Sequence, residues 1–396
     1  MVIIIGIGMD GKKTLTAEAL SAIKNADILI GAKRMLEPFS SLGKPCFCSW
    51  KSDEIAEFLH NGKYENAAVL MSGDCGFYSG AEKLLRFTED IECKVISGIS
   101  SPVYFCSKIK KPWKNMKFVS LHGESSNIVR NVRRNELCFF LLGGEITPAK
   151  LCRRLCEYGM SETKLYIGEN LAAENERIFT GKAADLIDVQ LGKLTVAVTE
   201  NPDFENSTAI GISDEKFTRG KVPMTKSEVR STVISKLEIR RNDICWDIGC
   251  GTGSVSIEMA LQCFDGKVYA VEKNTEAAAL SRENALKFGC DNIEIICGSA
   301  PEALEELPAP DRVFIGGSSG KISEIADFVF SKNPNAVIVV TAVSLETLND
   351  AIVTFESNGI VCPEIVQISA ARAKKVGSHT MLSAENPVFI IKGARS

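Results

Sequence analysis

The sequence predicts an α/β protein with mostly parallel sheet, and three observations carry that prediction. Strand-like apolar runs alternate with helical patterns along most of the 396 residues. Residues 244–254, ICWDIGCGTGS, read as an apolar strand, a turn with glycines at 249, 251 and 253, and the start of a helix carrying Val255, Ile257, Met259 and Ala260. In the second half, no helical pattern separates the last two of seven strand candidates. The final strand must then run antiparallel, because parallel neighbours need a long crossover.

Composition sets the frame. A chain of 396 residues has the length for two or three domains of about 100–200 residues, each able to bury a core. Hydrophobic residues make up 45% and charged residues 24%, and the net charge of −4 offers no electrostatic attraction to nucleic acid. The expected partner is a small soluble substrate, with neither nucleic acid nor membrane. The apolar run 2–7 lacks a basic flank, and no run reaches the ~18 residues of a membrane helix, so the cytoplasm is the expected location. The 14 cysteines include no CxxC pair, and His60, His122 and His379 are far apart. No metal site is expected, and most cysteines read as small core residues.

In the first half, 2–8, 27–31, 67–72 and 94–97 read as strands and 14–24 as a helix. Two loops follow strand ends, MSGDCGFYSG at 71–80 and ISGISSPVYF at 96–105. Ligands of open α/β sheets gather outside the carboxyl ends of the strands, so the pair suggests a shared crevice. Read as plain turns, the second loop uses Ser100 or Ser101 to cap the helix after Pro102. Further on, 118–123, 138–144, 164–171 and 194–202 read as strands and 148–158 as a helix. Glu169 and Asn170, polar at a strand end, are either a substrate contact or a surface turn or salt bridge.

Residues 203–222 lack apolar periodicity and are rich in Asn, Ser, Asp, Glu, Lys and Gly. This predicts a linker over 206–222 between domains at 1–205 and 223–396. Beyond it, Thr225 with Glu228 three residues later reads as a capping box for a helix carrying Val229, Val233, Ile234 and Leu237.

The seven strands are expected at 244–248, 267–272, 293–298, 312–315, 336–341, 364–369 and 388–392. With its antiparallel last strand this is a Rossmann-like class I methyltransferase plan, whereas a dinucleotide-binding domain more often has six parallel strands. The glycines at 249, 251 and 253 let the turn visit positive φ and let a ligand approach bare backbone at a helix N-terminus. Their GxGxG spacing, with Asp247 before the first glycine, favours S-adenosylmethionine over NAD. Glu272 ends the second strand, where a carboxylate accepts from ribose hydroxyls. Ser299 and Ala300 follow the third strand, where small side chains let adenine lie against the loop. Asp247 accepts from the loop or from the ligand's amino group, or simply braces the loop.

After the fourth strand, Gly316 and Gly317 stand where methylases of base amines carry a polar Asn/Asp-Pro-Pro-aromatic turn. Glycines remove acceptors and bulk there, which suits a large flat carbon nucleophile. Arg372, Lys374, Lys375 and His379, between the sixth and seventh strands, read either as a cationic rim for substrate carboxylates or as a solvated hairpin.

Taken together and in order, VIIIGIGMDG, SGDCGFYSG, ISGISS, LLGGEITPAKLCRRL and IGENLAAENERIFTG resemble the tetrapyrrole (corrin/porphyrin) methylase family, in its branch acting on precorrin-6Y in cobalamin synthesis. The resemblance implies a two-lobed class III methyltransferase fold, with lobes at about 1–112 and 113–205. It implies S-adenosylmethionine held by Gly8, Gly73, Asp74, Ser100 and Ser101. Cys75 departs from the family, which usually has proline there. In the second half, VPMTKSEVR, WDIGCGTGSVSIE, VYAVEKN, GSAPEAL, DRVFIGGSSG and NPVFIIKG resemble the decarboxylating methylases of the same pathway that act on carbon 15. By that resemblance Thr225, Gly249, Cys250, Gly251, Thr252, Gly253, Glu272 and Ala300 carry the donor.

The activity implied is methylation of a reduced tetrapyrrole at carbons 5 and 15, with loss of carbon dioxide from the acetate on carbon 12. Two donor sites per chain and self-association into a homo-oligomer are implied with it. Methyl transfer from a sulfonium asks for alignment and dryness rather than a nucleophilic side chain or a metal, so no catalytic acid or base is assigned. Three rivals stand beside this reading. An NAD-dependent oxidoreductase is opposed by the glycine spacing and strand count. An RNA or protein methyltransferase with an accessory domain is opposed by the acidic balance and the missing amine-holding turn. A degenerate binding module has Cys75 as its one hint.

Overall fold

Val2–Gly6 (β1) is buried along its whole length because both faces of its sheet are covered. Val2 and Ile4 join one apolar cluster, Ile3 and Ile5 the other. Each such aliphatic side chain contributes about 1.5–3 kcal/mol on burial. The computed structural model describes residues 1–62, 64–121, 127–192, 194–205 and 210–395. It divides into two compact units. The first is Met1–Ser125, Arg134–Cys156 and Met160–Phe204, and the second is Ser126–Arg133, Glu157–Gly159 and Glu205–Ser396.

In the first unit β1 is joined by β2 (Ile28–Gly31), β3 (Cys46–Cys48), β4 (Ala67–Met71) and β5 (Cys93–Ile96) in a parallel sheet of order β3-β2-β4-β1-β5. The carboxyl ends of β4, β1 and β5 therefore lie side by side, which brings their loops together. A second sheet contains β6 (Lys117–Ser120), β7 (Leu137–Leu141), β8 (Lys164–Glu169), β9 (Arg177–Lys182) and β10 (Thr195–Glu200), in the order β6-β7-β10-β8-β9.

This second sheet corrects the expectation of mostly parallel pairing. Only β6–β7 is parallel, and β7–β10, β10–β8 and β8–β9 are antiparallel. β9 escaped the sequence reading because it is a largely exposed edge strand with little apolar pattern. The strand expected at 118–123 ends at Ser120, and its His122 and Gly123 lie outside the described residues. Glu169 is buried and pairs with Arg177 at 2.6 Å, which is the salt-bridge reading of that strand end.

The second unit holds β11 (Ile244–Ile248), β12 (Lys267–Glu272), β13 (Ile293–Cys297), β14 (Arg312–Ile315), β15 (Val337–Ala342), β16 (Glu364–Ile368), β17 (Ala371–Val376), β18 (His379–Ala384) and β19 (Val388–Gly393). Seven of them form a sheet of order β13-β12-β11-β14-β15-β19-β16, with β19 antiparallel to both neighbours as expected. Helices cover both faces: Trp246 and Ile248 point into one core and Cys245 into the other. β17 and β18 pair with each other in a two-stranded hairpin.

Two local expectations change. Of the expected linker, residues 206–209 lie outside the described residues, and the part beyond them is fastened down. Gly211 and Ile212 donate their N–H groups to Glu258, at 2.9 and 3.0 Å, and Phe217 is buried in the core beneath the 227–237 helix. The segment is held by its backbone and by Asp214, while Ser213, Glu215, Lys216, Arg219 and Lys221 stay exposed. The capping box at Thr225 is not formed either. Lys226 occupies the N-cap of the helix Ser227–Leu237 without a side-chain bond, and the Glu228 carboxylate goes to Arg372 at 2.5 Å.

Candidate functional site

β11 ends in the 249–253 turn, which leads straight into the helix Ser254–Gln262. Gly249 has φ +75, and a Cβ there would stand 2.7 Å from the Gly317 carbonyl oxygen, so side chains are excluded twice over. Gly316 and Gly317 are held in that contact by N–H bonds to the Ile248 carbonyl, at 2.9 and 3.3 Å. The turn thus has the loop after β14 as one wall and the segment 222–223 as another. A Cβ on Gly251 would lie 3.1 Å from the Pro223 carbonyl oxygen.

Glu272, at the end of β12, braces the turn. Its Oε2 accepts the Gly251 N–H at 2.9 Å and its Oε1 the Asn274 N–H at 2.9 Å. Each oxygen keeps a further lone pair, so the expected role at ribose hydroxyls is compatible with this bracing. Around the turn lies a cavity of about 680 Å³ whose lining includes Thr225, Gly249, Cys250, Gly251 and Glu272. Ser299, Ala300, Gly316 and Gly317 line it as well. That volume lies within the roughly 300–1,000 Å³ of small-molecule sites, so a nucleoside-sized donor fits the space and the bare backbone offered.

Three expected donor contacts are not in its lining. Asp247, Thr252 and Gly253 lie behind the turn: Asp247 is fully buried, and a Cβ on Gly253 would strike Ser281. Asp247 Oδ2 accepts from Ser256 Oγ, whereas Oδ1 has no partner. Burial pushes the Asp247 carboxyl up to about 7, and the neighbouring Glu272 charge adds to the rise. Thr252 Oγ1 is likewise buried without a partner.

Arg372, Lys374 and His379, offered by the sequence as substrate contacts, are not brought to the cavity; they sit on the β17–β18 hairpin. Lys374 and His379 are exposed. Arg372 is engaged by three carboxylates: Asp214 at 3.0 Å, Glu228 at 2.5 Å and Glu385 at 3.7 Å. Acids distant in sequence have claimed the cation.

Sequence reasoning also missed the groups that hold the site. Arg230, fully buried, donates to Glu258 at 2.6 Å, to Asp214 at 3.3 Å and to the Thr225 carbonyl at 2.6 Å. Asn284 donates to the Thr252 carbonyl at 3.0 Å and exchanges bonds with the Thr218 backbone. A charged residue within an apolar helical pattern was the only signal for Arg230, and a mid-helix Asn gives none.

In the first unit, the turns after β1 and β4 bond to each other: Gly8 N–H to the Gly73 carbonyl at 3.1 Å and Gly73 N–H to the Gly8 carbonyl at 2.8 Å. Asp74 accepts from Gly76 N–H at 2.8 Å and, across to the loop after β5, from Gly98 N–H at 2.9 Å. Gly73 also lies beside Ser100: a Cβ on it would be 3.8 Å from Ser100 Cα. The structure thus gathers Gly8, Gly73, Asp74 and Ser100 at one end of the sheet, with Ser101 beginning the next helix, Ser101–Ile109. Ser100 stands at the N-cap but its side chain makes no capping bond, since Pro102 lacks one of the N–H groups it would bond. Cys75 is buried, and its Sγ donates to the Ile96 carbonyl at 3.5 Å.

Comparison with known proteins agrees with this two-part organisation. The family model of tetrapyrrole (corrin/porphyrin) methylases matches residues 1–187, and that of the precorrin methyltransferase domain matches residues 215–395. A probable cobalt-precorrin-6B C(15)-methyltransferase (decarboxylating) of Pyrobaculum calidifontis is 44% identical over 46% of this chain and 94% of its own length. A precorrin-6Y C(5,15)-methyltransferase [decarboxylating] of Sinorhizobium sp is 28% identical over 97% of this chain and 94% of its own. A crystal structure named precorrin-6y C5,15-methyltransferase, from Geobacter metallireducens GS-15, is 40% identical over 47% of this chain and 97% of that one, with a TM-score of 0.45. The chain belongs to the decarboxylating precorrin methyltransferases, S-adenosylmethionine-dependent C-methylating enzymes of cobalamin biosynthesis, and it carries a tetrapyrrole methylase domain ahead of the precorrin methyltransferase domain.

Proposed function

We propose that the chain methylates a precorrin, or its cobalt form, at carbons 5 and 15 and releases the carboxyl of the carbon 12 acetate as carbon dioxide. The observation that carries this reading is the second unit's cavity, walled by a glycine turn, a braced carboxylate and the glycine pair 316–317. The Sinorhizobium relative, named for both carbons and alike over 97% of this chain, supports joining the two methylations in one polypeptide.

Bound S-adenosylmethionine supplies an electrophilic methyl group. In the second unit Glu272, Thr225, Ser299, Ala300 and the 249–251 backbone hold it, while Gly316 and Gly317 keep the adjoining wall open for a flat ring. In the first unit Gly8, Gly73, Asp74, Ser100 and Ser101 hold a second donor molecule. An electron-rich ring carbon bonds to the methyl group as the sulfur–carbon bond breaks and S-adenosylhomocysteine leaves; the residues serve by orienting the partners and excluding water, and no acid or base is assigned. Two donors per chain, self-association and a cytoplasmic location belong to the same reading. A net charge of −4 and the lack of a membrane-length helix among the described residues support a soluble partner.

Calorimetric titration with S-adenosylhomocysteine tests it. Two sites are expected in the intact chain and one in Glu272→Ala, and turnover with a carbon-13 methyl donor should label carbons 5 and 15. A chain that binds no S-adenosylhomocysteine would sink the reading.

A further inference from the structure

Residues 219–226 curl into a cup of about 420 Å³ that carries Arg219, Lys221 and Lys226 and no acid in its lining. Among the described residues none of these three cations is ion-paired. The cup adjoins the donor turn: its residues 221–224 and 226 also line the larger cavity, and Pro223 is the backbone that packs over Gly251.

Both ends of the segment are pinned. Asn284 accepts the Thr218 N–H at 2.8 Å and donates to the Thr218 carbonyl at 2.7 Å, and the same side chain holds the Thr252 carbonyl of the turn at 3.0 Å. At the other end the Thr225 carbonyl accepts from buried Arg230 at 2.6 Å, whose guanidinium lies over the Phe217 ring at 4.8 Å. Between the pins Arg219 and Lys221 are exposed, and Lys226, just past the second pin, is half-buried. Two acids of the larger cavity differ from the cup's cations in being paired. Glu228 and Glu385 line that cavity, and the cation that pairs with them, Arg372, is shared among three carboxylates.

We propose that this cup anchors carboxylate side chains of the tetrapyrrole acceptor and so sets the ring's orientation beside the donor turn, a role that rests on the function proposed above. Arg219 offers a planar fork to one carboxylate, and the two lysines act as point charges.

The test is steady-state methylation of the tetrapyrrole by wild type and by Arg219→Gln/Lys221→Gln/Lys226→Gln, with S-adenosylhomocysteine affinity measured on each. Loss of three partly exposed ion pairs should raise KM for the tetrapyrrole by about tenfold or more and leave kcat within about twofold. The dependence of kcat/KM on salt should flatten and donor affinity should not change. The exposed single change Lys221→Glu, which leaves the pinned ends intact, should also raise KM, whereas Lys221→Arg should restore it. Unchanged KM and salt dependence in the triple variant, or KM and donor affinity lost in step, would overturn the proposal. Wild type that binds S-adenosylhomocysteine but leaves the acceptor unmethylated would remove the underlying function and the cup's role with it.

Discussion

In the first unit, turns from three neighbouring strands hold one another. Gly8 and Gly73 exchange backbone bonds, and half-buried Asp74 reaches across to Gly98. In the second unit a single turn leans on groups brought from elsewhere, Glu272 from β12 and Asn284 from the Thr275–Phe288 helix, and Arg230 of the Ser227–Leu237 helix holds the Thr225 carbonyl of the adjoining cavity wall. Both units use one carboxylate with each oxygen on a backbone N–H. The difference lies in what stands behind it: a mesh of backbone in the first, and a buried charge network in the second. A mesh of many small bonds should lose little to any one change. A network centred on one buried guanidinium should fail at that residue.

Arg230→Ala should therefore give the largest effect. It leaves Glu258 with a buried charge that has lost its cation and Asp214 with Arg372 alone, and about 3–5 kcal/mol of stability should be lost in urea denaturation. A loss below about 1 kcal/mol would break the contrast.

The paired substitutions Glu272→Gln and Asp74→Asn sharpen it. Each amide can no longer accept two N–H groups as a charged brace, a loss of about 1.5–3 kcal/mol where the group is buried. In titrations with S-adenosylhomocysteine, Glu272→Gln should weaken one site by tenfold or more. Asp74→Asn, half-buried and backed by the Gly8–Gly73 bonds, should weaken the other by less. Equal effects would show that the backing does not matter.

The smallest effect is a matter of pH. The folded protein holds Asp247 at about 7, above its unfolded value of 3.8, so the folded state binds the proton more tightly. The resulting stability is fully present below pH 4 and is lost as pH rises through about 7, at no more than about 1.4 kcal/mol per pH unit. Asp247→Asn should remove that slope from the denaturation free energy of the donor-free protein. A slope that survives the substitution would place its origin elsewhere.

Much of this is legible in the sequence. The strand–turn–helix at 244–254 is written in local terms, as β-branched and apolar residues, glycines where a side chain would strike Gly317, and a helical period. The antiparallel β19 followed from a missing crossover helix. Arg372 shows where such reasoning stopped. A cation in a short basic cluster looks available, and only folding brings Asp214, Glu228 and Glu385, from three other segments, around it. Thr225 and Glu228 had the spacing of a capping box, but that carboxylate found a charged partner stronger than a backbone N–H. The polar stretch 210–222 read as a linker because its bonds run to residues far along the chain, such as Glu258 and Asn284.

The sequence by itself determined most of the buried elements, the antiparallel last strand of the seven-stranded sheet, the glycine turns and the family, because each of these depends on residues close in the chain or on connection lengths. The tertiary structure decided which charges are paired, which carboxylate braces which turn, and that Asp247 lies behind the cavity rather than in it. Pairing and burial are properties of distances between segments remote in sequence, and only packing sets those distances.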